Sequence, residues 1–143
     1  MGRKACLVWW LAVVLLLTAA EMARAGSMVE ATCANCGYHQ GMGLFGGKAD
    51  FETHCDFPVY CVDCKQLEVV NLYAERTVCQ ACPNSRAVPY DDPSLLGKKG
   101  AKVITSWNTQ KRLGRSLVLT DGDYLCPNCG KFTLHFQQVG LYD

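Results

Sequence analysis

Four Cys-x-x-Cys pairs constrain this chain more than any other feature: Cys33 and Cys36, Cys61 and Cys64, Cys79 and Cys82, and Cys126 and Cys129. Such a segment folds into a tight knuckle whose backbone turns both sulfurs toward one point, and two knuckles supply the four thiolates of a tetrahedral zinc site. Eight cysteines in this pattern imply two closed metal sites, so all eight are candidate ligands. A closed four-thiolate site keeps no position for water or substrate, and its usual contribution is folding energy rather than catalysis.

Spacing bears on which knuckles join. Fourteen residues separate Cys64 from Cys79, twenty-four separate Cys36 from Cys61, and forty-three separate Cys82 from Cys126. The first of these gaps is close to the roughly fifteen to twenty residues of a single zinc ribbon. The middle pairs therefore read as one local ribbon, about 57–90, inserted within an outer ribbon formed by the first and last pairs. Sequential pairing, first with second and third with fourth, is the alternative.

The stretch C-A-N-C-G-Y at Cys33–Tyr38 resembles the first knuckle of rubredoxin, and C-P-N-C-G at Cys126–Gly130 resembles its second. Glycine after the last sulfur carries this likeness, because it tolerates positive φ and lets backbone N–H groups approach the sulfurs. C-V-D-C-K and C-Q-A-C-P lack it. The resemblance implies that iron is possible at Cys33, Cys36, Cys126 and Cys129. The chain is also similar to small bacterial zinc-ribbon proteins of unassigned activity, with a glycine-rich segment, a P-x-Y-C-x-x-C knuckle and a terminal C-P-x-C-G strand.

The first twenty-five residues read as a signal peptide. Arg3 and Lys4 precede an apolar run from Ala5 to Ala20, and Ala23-Arg24-Ala25 has the A-x-A form of a cleavage site. The expected product spans 26–143 and is exported, periplasmic or secreted, with no stable membrane insertion after cleavage; an uncleaved membrane anchor is the alternative. Cys6 leaves with the signal. The remainder holds eleven Lys and Arg against twelve Asp and Glu, so nothing global points to nucleic acid. Nine cysteines in those 118 residues suggest that cross-links supplement a modest core. Export favours disulfides. Bonds closed within C-x-x-C, however, are usually reactive redox couples, and four of them in one small β domain fit less well than two metal sites.

The fold class expected is mostly β, a small antiparallel zinc-ribbon or rubredoxin-like domain. His39–Gly47, containing Gly41, Gly43 and Gly46, reads as a turn-rich loop, because the G-x-G-x-x-G spacing lacks the flanking strand and helix of a dinucleotide site. Leu67–Tyr73 reads as a central strand, Val88-Pro89-Tyr90 as short extended structure, and Asp91–Ser94 as a loop or brief helical turn. Val103–Trp107 and Leu117–Thr120 read as strands, with Asp121-Gly122 a hairpin turn before Tyr124. In the last strand Phe132, Leu134 and Phe136 should face the core and His135 should face out.

Cys55 is the odd thiol and reads as a buried, inert one, since adjacent side chains on a strand diverge and His54 is poorly placed as its base. Residues 97–120 carry Lys98, Lys99, Lys102, Lys111, Arg112 and Arg115 with no acid. Trp107 among them could stack on a base, but a solvated hairpin accounts for the charges. Protease, deaminase and hydrolase motifs are missing, so the expectation is not an enzyme. It is a zinc-binding module serving protein interaction, with rubredoxin-like electron transfer and envelope thiol–disulfide exchange as alternatives.

Overall fold

The structure, a computed structural model, describes residues 25–47 and 49–142. The expected signal segment up to Arg24 lies outside them. Among the described residues ten strands run in the order β1 (Gly26–Cys33), β2 (His39–Leu44), β3 (Asp56–Cys61), β4 (Leu67–Asn71), β5 (Ala87–Pro89), β6 (Leu96–Lys98), β7 (Val103–Trp107), β8 (Leu117–Thr120), β9 (Asp123–Leu125) and β10 (Phe132–Tyr142). Every pairing is antiparallel. One helical turn, α1 (Gln110–Leu113), joins β7 to β8. The fold is therefore mostly antiparallel β, as the alternating pattern implies. No helix among the described residues is long and apolar enough to cross a membrane.

The strands form a five-stranded sheet in the order β2-β1-β10-β9-β6, a three-stranded sheet β4-β3-β5 and the β7-β8 hairpin. One apolar core includes side chains from all three, among them Val29, Leu44, Phe57, Val59, Tyr90, Leu117, Leu119 and Leu134. Tyr90 is fully buried in it. Its ring meets Tyr124 and Phe136 edge-on, at centroid distances of 6.2 and 5.4 Å, the geometry that aromatic quadrupoles favour.

Several local expectations fail, each for a physical reason. The glycine-rich stretch is strand β2, paired with β1 from Ser27↔Leu44 to Thr32↔His39. Glycine is tolerated there because the Tyr142 ring crosses the sheet; a Cβ on Gly43 would lie 3.3 Å from it and one on Gly26 2.4 Å. β4 is an edge strand, and β3 holds the central position despite Pro58. Pro58 offers no donor, but its carbonyl accepts from Tyr90 N at 3.0 Å, beyond the end of β5. β4 also stops at Asn71, whose Oδ1 accepts from the backbone N–H groups of Cys55 and Tyr73 at 2.9 and 3.0 Å.

Asp121-Gly122 does not close a hairpin, since β8 pairs with β7 while β9 pairs with β10 and β6. A Cβ on Gly122 would lie 2.4 Å from Lys98 O, so glycine here admits a close approach of two backbones as the chain changes sheets. Phe132 is 44% exposed rather than core, although Leu134 and Phe136 are buried. The β9-β10 register shifts between Phe132 and Leu134, and that bulge breaks the two-residue alternation. Phe132 instead covers Gly97. The Asp91–Ser94 expectation holds, with a 3-10 turn over Pro93–Leu95 capped by Asp92.

Candidate metal centres

Three of the four knuckles share one backbone arrangement. The N–H of the first cysteine donates to the carbonyl five residues on: Cys33 to Tyr38 (2.8 Å), Cys61 to Gln66 (2.9 Å) and Cys126 to Lys131 (2.8 Å). Its carbonyl accepts from the N–H four residues on, in Gly37, Lys65 and Gly130, at 3.0, 3.0 and 2.9 Å. That tight turn puts the residue after the second cysteine in the left-handed region. Gly37 and Gly130 take it at φ +72° and +68°, and Lys65 takes it at φ +55° without glycine's freedom. The Cys79–Cys82 knuckle is built differently. Its Gln80 and Ala81 N–H groups donate to the Glu68 carboxylate on β4, at 2.7 and 3.4 Å.

The knuckles come together first with fourth and second with third. Cys33, Cys36, Cys126 and Cys129 form an outer group where β1 and β10 end and begin, and Cys61, Cys64, Cys79 and Cys82 form an inner group. This is the nested arrangement. In each group the four sulfurs all lie within 4.8 Å of one another. Cys33 and Cys129 sulfurs are 3.8 Å apart, Cys36 and Cys126 3.7 Å, and Cys64 and Cys79 3.5 Å. A tetrahedron with Zn–S bonds of about 2.3 Å has an edge of about 3.8 Å. The donor set and its spacing therefore fit a tetrahedral thiolate metal, and either group could hold one. Every described cysteine is unbonded to another.

The sulfurs of each group hold their protons unequally. In the outer group burial pushes the Cys126 thiol up to about 12. At Cys33 burial acts upward as well, but the Thr133 hydroxyl at 3.1 Å and the Cys36 and Asn35 amides outweigh it and bring the group down to about 6. The inner group splits likewise. Burial raises Cys79 to about 12 with help from Cys61 and Cys64, whereas Cys61, despite burial, falls to about 6 through contacts with Cys79 and Ser85. Sulfurs this close cannot all ionise without a cation among them. A dication bound there would displace the protons that remain, so metal binding would strengthen as pH rises and weaken as it falls.

Sequence reasoning missed the groups around the sulfurs. Thr133 faces Cys33, Asn128 Nδ2 donates to Cys36 Sγ at 3.4 Å, Ser85 Oγ lies 3.3 Å from Cys61 Sγ, and the Cys79 thiol donates to Glu68 Oε1 at 3.3 Å. No spacing rule signals these contacts, because each depends on strand pairing or on the approach of separate knuckles.

The remaining candidates stay apart from both centres. Cys55 is fully buried, and burial, with the Asp56 charge adding to it, pushes its thiol up to about 12. His54 Nδ1 pairs instead with Asp50 at 3.6 Å. Between pH 9 and 12 an unfolded chain ionises this thiol and the folded one does not, so Cys55 favours the fold below that window and loses its contribution through it. We expect Cys55 to stay unreactive toward a disulfide reagent at pH 8 until denaturant is added; labelling and peptide mass mapping check this. Among the cations, Arg112 lies 4.7 Å over the Tyr73 ring and Arg115 pairs with Asp91. Trp107 stacks on Phe45 at 5.0 Å, so that face of its ring is spent inside the fold. His135 faces out, 3.6 Å from Asp123. Neither a protein-family model, a curated protein nor a solved structure matches the chain.

Proposed function

We propose that this chain is a non-enzymatic zinc module whose two four-cysteine centres hold its loops and sheets in register and present a surface to a protein partner. The observation that carries the reading is the closure of each centre by four protein sulfurs at tetrahedral spacing. All four donors of each set come from the protein, so a bound zinc would have no position left for substrate. Zinc would supply folding energy there, while Thr133, Asn128 and Ser85 orient the sulfurs. Nothing in the charge distribution selects nucleic acid, and two of the six cations of 97–120 are engaged within the fold.

Export is part of the proposal. Its support is the n-region, apolar run and A-x-A motif, followed at once by the first residue of β1, Gly26. One measurement tests the metal and the leader together: intact mass and metal content of protein recovered from the cell envelope or medium. A chain beginning at Gly26 with two zinc ions is the expected result, and metal-free disulfide-bonded protein overturns it.

Iron at the outer centre is a second reading, favoured by one observation. Both outer knuckles carry the positive-φ glycine, and the Cys33 and Cys36 sulfurs lie within hydrogen-bond reach of the Thr133 hydroxyl and the Asn128 amide, the kind of contact that tunes iron–sulfur potentials. A red, redox-active protein with one iron per chain would establish it.

A further inference from the structure

The two centres differ in what surrounds their sulfurs, and the difference centres on Glu68. In the outer centre both knuckles close through a glycine at positive φ, and Cys33 and Cys36 face a neutral hydroxyl and a neutral amide. Each of these groups can donate to a thiolate. The inner centre has Ser85 beside Cys61 and the Cys82 N–H donating to Cys79 Sγ at 3.3 Å. It also has an acceptor-only carboxylate, Glu68 Oε1, 3.3 Å from Cys79 Sγ.

That carboxylate has two opposed effects. By accepting from Gln80 and Ala81 N–H it fixes the only knuckle that lacks the left-handed closing residue. Once Cys79 serves as a thiolate, the Glu68 carboxylate stands against it at van der Waals distance, with Cys79 fully buried and Glu68 half-buried, so solvent screens the repulsion only in part. Glu68 therefore shapes the loop for metal while weakening the bond that loop makes.

Building on the zinc reading above, we propose that the inner centre is an exchangeable zinc site, set by Glu68, while the outer centre is a permanent clamp. The protein would then release and take up one divalent zinc ion at Cys61, Cys64, Cys79 and Cys82 without losing the main sheet, whose ends the outer centre holds. The chemistry asked of its counterpart is modest: a chelating protein or small molecule with thiolate, imidazole or carboxylate donors.

Zinc transfer from the loaded full-length protein to a chromophoric chelator reads the two centres separately, with cysteine-alkylation mapping to show which sulfurs become free. Two phases are expected, the faster one exposing the inner cysteines. Glu68→Gln keeps an oxygen acceptor for the loop, removes the charge and can donate to Cys79; it should slow the fast phase by about tenfold, the scale of changes beside metal ligands. Glu68→Ala loses the loop contact as well and should release inner zinc faster than the original. The slow outer phase, unchanged in both, reports that the variants remain folded. Equal release rates from the two centres, faster release from the outer one, or a fast phase unmoved by Glu68→Gln overturns the proposal. Failure to find two zinc ions in the starting protein overturns the zinc reading itself, a distinct outcome.

Discussion

If both centres hold zinc as proposed, removing it with a strong chelator at neutral pH should unfold the domain, not merely loosen it. A structural zinc site contributes an apparent binding free energy of about 10–16 kcal/mol, whereas a whole domain is stable by only about 5–15 kcal/mol. A metal in the outer centre would tie Cys33, at the end of β1, to Cys126 and Cys129, between β9 and β10. Without it the Cys36–Cys126 loop of eighty-nine residues is held only by strand pairing and core contacts. Closure entropy rises only logarithmically with loop length, so the cost of closing that loop is bearable with metal and hard to meet without it. Near-UV circular dichroism and limited proteolysis should show loss of fixed packing on chelation and its return when zinc is restored. Cys126→Ser with Cys129→Ser should do the same at the outer centre alone. A metal-free chain that keeps a sharp thermal transition would refute this expectation. The double substitution leaves in place β10, which pairs with both β1 and β9.

The cysteine arrangement was legible because C-x-x-C is a local signal and the fourteen-residue gap fits one ribbon. Strand alternation identified β7 and β8, and the buried positions Leu134 and Phe136 of β10. What sequence could not disclose was context supplied by partners. Gly41 and Gly43 carry no side chain to alternate, so β2 becomes visible only through its ladder with β1. Phe132 alternates correctly yet lies outside, because a bulge opposite β9 resets the face. Lys65 occupies a left-handed position that spacing alone would assign to glycine. Glu68 shows the limit most clearly. Its sequence neighbours describe an ordinary strand, and only folding brings the Gln80 and Ala81 amides onto it.

The second large effect is expected at Tyr90, which links the three-stranded sheet to the five-stranded one. Its backbone N–H donates to Pro58 O at 3.0 Å on the side of the inner centre. Its hydroxyl donates to Leu125 O at 3.0 Å, one residue before Cys126 of the outer centre. Between those two contacts the ring is fully buried against Tyr124 and Phe136. Tyr90→Phe keeps the packing and loses one hydrogen bond, so it should cost about 1 kcal/mol. Tyr90→Ala removes the ring and leaves a cavity where the sheets meet, at about 3–5 kcal/mol. Denaturant unfolding of the zinc-loaded variants measures both, and a shifted midpoint with unchanged slope means that one cooperative unit has been weakened. If the ring is what couples the sheets, Tyr90→Ala should also split the single transition, with the segment around Cys61, Cys64, Cys79 and Cys82 melting apart from β1 and β10. Equal losses in the two variants would mean that the hydroxyl, and not the aromatic contact, joins the two centres.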